Sequence, residues 1–250
     1  MEIELKDKFI ELWRKYFLDA ELPIACYFSN NYSNAVKVKT PTHWRCVICD
    51  LARVRRGESL AFDIDSLSCN GAKRYFGFTD YIRDDFEYFL SCGNERVEGE
   101  RYKKTPEIVL ETMKNRQKLP VSGNYIIFKR WDNLRGDDKP DIIIFFAKPD
   151  VLSGLFTLAN YDRIEPNGVI TPFSAGCGSI VHYPYLEIKS DEPRAVIGLF
   201  DVSARPCVQN DILSFSVPLV KFKKMVDYME ESFLITDSWK KVMKRIMKYE

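Results

Sequence analysis

The chain has 250 residues, 46% of them apolar and 14% aromatic, which suits one sizeable core better than two. Its 37 Lys and Arg residues against 36 Asp and Glu leave a formal charge of +1, so there is no electrostatic footprint for nucleic acid or an anionic membrane as main partner. No apolar run approaches the roughly eighteen residues of a membrane span, and the start, MEIELKDKFIELWRKYF, lacks the apolar stretch of a signal peptide. A cytoplasmic protein with a single globular domain over 1–250 is the expectation. Seven cysteines in such a chain should stay reduced or bind metal, and the odd count fits poorly with a fully paired disulfide framework.

The first stretch repeats apolar residues at helical spacing (Leu5, Phe9, Leu12, Trp13, Tyr16, Phe17), as a core-packing helix does. Pro23 to Phe28 reads as a short strand. A polar loop then leads to Thr42, expected to cap a helix that runs to about Arg56 and ends at Gly57. That helix would carry Cys46 and Cys49 three apart, on one face. Ser59 to Asp63 is a strand candidate, Ser68 to Phe78 a turn and short helix, and Asp84 to Cys92 another short helix. Thr105 and Pro106 open the next helix, proline suiting the first helical position. Tyr125 to Arg130 and Asp141 to Ala147 are expected strands, and DIIIFFA is apolar on both faces, as in a strand covered on both sides. A helix from Pro149 to about Tyr161, a strand at Gly168 to Phe173, a short helix after the Gly176–Gly178 turn and a strand at Ala195 to Phe200 follow. This strand–helix alternation predicts a partly parallel sheet with α/β character in the second half. Ile212 to Val217 is the last strand. Pro218 opens a helix striped by Phe222, Met225, Val226, Met229 and Phe233, and Thr236 or Asp237 caps the final helix. Lys240, Lys241, Lys244, Arg245 and Lys248 give that helix a solvated basic face. The fold class read from these elements is α+β, one domain with a mixed, partly parallel β-sheet flanked by helices.

Several groups carry chemistry. Cys46, Cys49, Cys69, Cys92 and Cys177 all fall near predicted element ends, where distant segments can converge on zinc or an iron–sulfur cluster. The spacing is one C-x2-C, nineteen residues to Cys69, twenty-two to Cys92, then a long gap; it has neither a second zinc knuckle nor a ferredoxin run. Spacing alone favours unliganded thiols, since cysteine is common in cores. Cys177, between Gly176 and Gly178 in FSAGCGSIVHYP, is the candidate nucleophile, on a turn that resembles a strand-to-helix elbow. His43 and His182 are the only histidines, and neither is an obvious base for it. A C-x2-C redox centre ranks last, because a Pro-Thr-His-Trp segment and not an apolar strand precedes Cys46. Asp201, Ser203 and Arg205, in GLFDVSARPCV, form a turn that either holds itself together or, with Gly176 and Gly178, holds a small anionic ligand through the arginine fork.

Taken together and in order, CDLARVRRG, SCNGAKRYFGF, YFLSCG with EGERYKKTP, PDIIIFFAKPDVLSGLFTLANYD, AGCGS and GLFDVSARP resemble the uncharacterised domain of unknown function 169, or ArCR, a family of archaea and anaerobic bacteria. The similarity runs from about Pro23 to Trp239. It implies that Cys46, Gly57, Cys69, Gly71, Gly77, Cys177 and Arg205 match the family pattern, while Cys49 and Cys92 match a subgroup. Many relatives carry a cysteine near Phe200 or Asp201; this chain has none there, which weakens any ligand set that requires it. The resemblance thus shifts weight to a thiol-lined site of Cys46, Cys69 and Cys177, with Cys49 or Cys92 as fourth ligand, binding an iron–sulfur cluster or other metal. The alternative is an enzyme or binding protein for an anionic small molecule that uses the Cys177 turn and Arg205.

Overall fold

The computed structural model describes residues 3–247. Helix α1 (Ile3–Phe17) buries Phe9, Leu12, Trp13, Tyr16 and Phe17, the apolar stripe of its sequence. Strand β1 (Ile24–Ser29) follows, then a two-residue strand β2 (Val36–Lys37), α2 (Val47–Arg55), β3 (Leu60–Phe62), α3 (Asn70–Tyr75) and α4 (Phe86–Phe89). Next come α5 (Pro106–Lys114), β4 (Tyr125–Arg130), β5 (Ile142–Ala147), α6 (Pro149–Ala159) and β6 (Val169–Ile170). The chain ends with a π-helical turn at Gly178–His182, α7 (Tyr183–Glu187), β7 (Ala195–Gly198), β8 (Leu213–Pro218), α8 (Leu219–Tyr228) and α9 (Asp237–Ile246). The basic face expected on α9 is exposed at Lys240, Lys241, Lys244 and Arg245; Lys248 lies outside the described residues.

The strands form one sheet in the order β2-β3-β4-β1-β5-β8-β7-β6. Only its two edge pairs, β2 with β3 and β6 with β7, are parallel; the inner pairings are antiparallel. The sheet is therefore mixed and partly parallel, with helices around it. The α/β character expected in the second half shrinks to the β6–β7 edge. The connection from β7 to β8 carries no crossover helix, so β8 returns antiparallel beside β7.

β5 shows why the sheet has two cores. All six of its residues are buried, and they alternate sides as a pleated strand must. Ile143, Phe145 and Ala147 join a cluster with α1, α6, α8 and α9; Ile142, Ile144 and Phe146 join a second cluster under α2, α3 and the 178–182 turn. Each fully buried Ile or Phe contributes about 1.5–3 kcal/mol by leaving water. The first face is the mechanical one, its rings packed edge-on or stacked: Phe9 on Trp131, Trp13 on Phe17, Phe17 on Trp239. The second face carries Cys177 in its core, with Cys46 and Cys69 packed against it.

Two expectations about this second face need correction. α2 starts at Val47 rather than after Thr42, and Cys46 is its N-cap. The segment before it is held by side-chain chemistry instead of helix: Ser68 Oγ accepts from the Arg45 N–H at 2.7 Å and donates to the Arg45 carbonyl at 3.0 Å. Nor are all seven cysteines reduced. Cys49 is bonded to Cys207, 158 positions away, which ties α2 to the 3-10 turn Arg205–Cys207.

Candidate functional site

Three free cysteines pack into the second face of the sheet. Each occupies the N-cap of a helical element: Cys46 of α2, Cys69 of α3 and Cys177 of the 178–182 turn. A capping position suits a short polarisable side chain, because the first backbone N–H groups of a helix lack intrahelical partners and favour negative charge. Burial pushes the Cys46 thiol up, as does the charge of Cys69, while the N–H groups of Ile48 and Cys49 pull it back down. Cys177, 6% exposed, is pushed well up by burial and then by the charges of Cys69, Cys46 and Asp201. The three thiols therefore lie within electrostatic reach of one another, and thiolate and carboxylate charges lead among the side chains acting on Cys46 and Cys177.

The Gly176–Gly178 turn makes this approach possible. A Cβ on Gly178 would stand 2.7 Å from the Tyr75 ring, and one on Gly176 would stand 3.0 Å from Leu199. Tyr75 in turn is pushed up to about 12, first by burial and then by the charge of Cys177. Asp201 fixes the opposite wall. Its carboxylate accepts from the Gly176 N–H at 3.0 Å, the Ser203 N–H at 3.1 Å and the Ser203 hydroxyl at 2.8 Å. Ahead of it, the buried Leu199 takes a left-handed φ of 65°, a strained conformation for a branched residue. Tyr102 completes the surroundings: burial, Glu100 and Asp201 raise its pKa, which brings the EGERY stretch to the same carboxylate.

The structure separates the other sequence candidates from this cluster. Arg205 directs its guanidinium to main-chain carbonyls, those of Ile212 at 2.5 Å, Asn210 at 2.8 Å, Gln209 at 3.2 Å and Leu199 at 3.4 Å. It staples the turn around Asp201, and Ser203 bonds that aspartate rather than an open ligand space. Cys49 is taken by Cys207 and is no free thiol, and the C-x2-C pair does not bridge internally. Cys92 is exposed, with its sulfur on the Gly93 carbonyl. Nor does Cys177 pair with a histidine: His182 places Nδ1 3.4 Å from the Arg116 guanidinium and meets Tyr75 and Tyr183 edge-on, while His43 is exposed. With its thiol pushed well up, Cys177 is protonated at neutral pH, unlike an activated nucleophile.

Sequence reading named the three thiols and Asp201 but missed Tyr75 and Tyr102. Tyr75 lies inside the SCNGAKRYFGF block and Tyr102 inside EGERY, so block order pointed at both, but nothing in spacing assigned them to the thiols. Among the described residues, no group of three or more His, Cys, Asp or Glu side chains is placed so that it could hold a metal ion as it stands. No helix is long and apolar enough to cross a membrane, again among the described residues. No curated protein and no solved structure matches the chain. Residues 19–228 match the model of domain of unknown function 169, described as uncharacterised ArCR, and the chain belongs to that family.

Proposed function

We propose that the protein binds a soft metal ion, or an iron–sulfur cluster, through Cys46, Cys69 and Cys177, with Asp201 as the oxygen donor. The observation that carries this reading is the placing of three free thiols at the starts of three helical elements, Cys177 coming from more than a hundred positions beyond Cys46 and Cys69, beside the Asp201 carboxylate. Burial, and then neighbouring negative charge, disfavours the thiolates of Cys46 and Cys177; a soft cation shared with them reverses that preference and releases their protons. Asp201 stands where the family resemblance places a cysteine near Phe200 or Asp201, which makes this chain's fourth donor an oxygen. Neither Cys49 nor Cys92 supplies it, the one being bonded to Cys207 and the other exposed on its own turn. Binding draws the sulfurs together by rotation about their Cα–Cβ bonds, with the backbone caps already in place.

Purification under strictly anaerobic conditions in the presence of iron and sulfide tests the reading. A brown protein with an absorbance shoulder in the blue, or a colourless one holding stoichiometric zinc, is expected. Cys177→Ser loses the metal, while Cys92→Ser retains it. A colourless protein containing neither iron nor zinc overturns the proposal.

A further inference from the structure

A cavity of about 410 Å³ opens beside the thiol cluster, between β2, the 38–45 segment and the start of α2. Its volume falls in the range of small-molecule sites. Cys69 forms part of its inner wall, next to an apolar floor of Val47, Leu67 and Ala72. Its charged lining is Lys37, Lys39, Arg45 and Arg53 with the single carboxylate of Asp50, alongside the hydroxyls of Thr40, Thr42, Ser66 and Ser68. Lys37 is held by Asp63 at 2.9 Å, Arg53 by Glu58 at 2.5 Å and Arg45 by Asp50 at 2.6 Å, so these heads are oriented in advance. Asp63 and Glu58 are not part of the lining, whereas Lys39 lines it, is exposed and has no ion-pair partner among the described residues.

We infer that this cavity binds a small organic anion, an apolar body seated on Val47, Leu67 and Ala72 with a phosphate or carboxylate head held by Lys39 and Arg45. Three features converge on that class: the volume, the apolar floor and, at the mouth, the unpaired Lys39 beside Arg45, whose one carboxylate partner is Asp50. This differs from the anion site expected at Arg205, whose donors are occupied by carbonyls. It goes beyond the thiol reading and needs no metal. Cys69 is the wall common to both, so an anion bound here lies next to the thiol cluster.

Calorimetric titration of the full chain at constant ionic strength provides the test, with phenyl phosphate, benzoate and neutral benzyl alcohol as probes. The expected result is saturable binding of one or both anions, the preferred head group naming the ligand class, and no binding of the alcohol. The double variant Lys39→Gln, Arg45→Gln weakens the anion by at least about tenfold, because a neutral amide supplies no charge-assisted bond. Lys240→Gln, on the exposed face of α9, leaves affinity unchanged. Cys177→Ser, which strips the metal under the thiol reading, also leaves it unchanged, so either proposal can fail alone. Failure of both anions to bind, equal binding of benzyl alcohol, or an unaltered affinity in the double variant overturns the inference.

Discussion

At the scale of single residues, two buried groups pull stability in opposite directions with pH. Burial and the charge of Arg116 push His182 down to about 4 from its ordinary 6.5, so the fold favours the neutral ring. Its contribution is complete above about 6.5 and is lost as pH falls toward 4. Asp141 behaves the other way. Burial raises it to about 6 from 3.8, so its contribution is complete below about 3.8 and is lost as pH rises through 6. Each is on the order of 3 kcal/mol across its window, and between pH 4 and 6 the two slopes oppose. Thermal melts should show this by difference. Relative to the parent chain, His182→Gln should lose stability as pH rises from about 4 to 6.5, and Asp141→Asn should lose it as pH falls from about 6 to 4. Parallel curves for all three proteins would contradict the assignment. Arg205 gives a second residue-scale prediction. Its fork reaches carbonyls on both sides of the turn, including that of the strained Leu199, and a lysine ammonium cannot span them. Arg205→Lys should cost about 2 kcal/mol in denaturant unfolding, and a change within error would show that the staple is dispensable.

Among the elements, the bond from α2 to the Arg205–Cys207 turn has the longest reach. Closing a loop of 158 positions removes denatured-state entropy equivalent to about 5 kcal/mol in the chain-entropy model, of which natural disulfides typically deliver about 2–5. Thiol titration of the unfolded, unreduced chain should count five reactive cysteines, and seven would contradict the pairing. The same elements show what could be read ahead of the structure. The continuous apolar run of β5 announced a strand covered on both faces, and Thr105 with Pro106 announced the start of α5, where the threonine side chain accepts from the Ile108 N–H. Such signals are local and need no partner. The start of α2 was misread because its boundary depends on Ser68, more than twenty positions away, bonding Arg45. Cys49 was misread for a similar reason: C-x2-C spacing describes a helix face, while the partner sulfur came from residue 207. For the site, Cys46, Cys69 and Cys177 were legible through the order of the family blocks, but their shared status as helix N-caps was not.

Over the whole molecule, the two faces of one sheet divide the labour. The face under α1, α6, α8 and α9 is a dense aromatic core that fixes β1, β5 and β8. The other face packs α2, α3 and the 178–182 turn against β1, β3, β4 and β5, so that Cys46, Cys69 and Cys177 share one cluster although they are spread across half the chain. On the proposed reading, this sheet positions the three helix starts and a soft ion would draw the sulfurs onto itself. The most direct test titrates metal-free, anaerobically purified protein with cadmium, a soft ion, while cysteine alkylation is followed by mass spectrometry at each residue. One equivalent should suppress labelling of Cys46 and Cys69 together, leave Cys92 reactive and lose its effect in Cys177→Ser. Unchanged labelling of Cys46 and Cys69 at saturating cadmium would contradict the account.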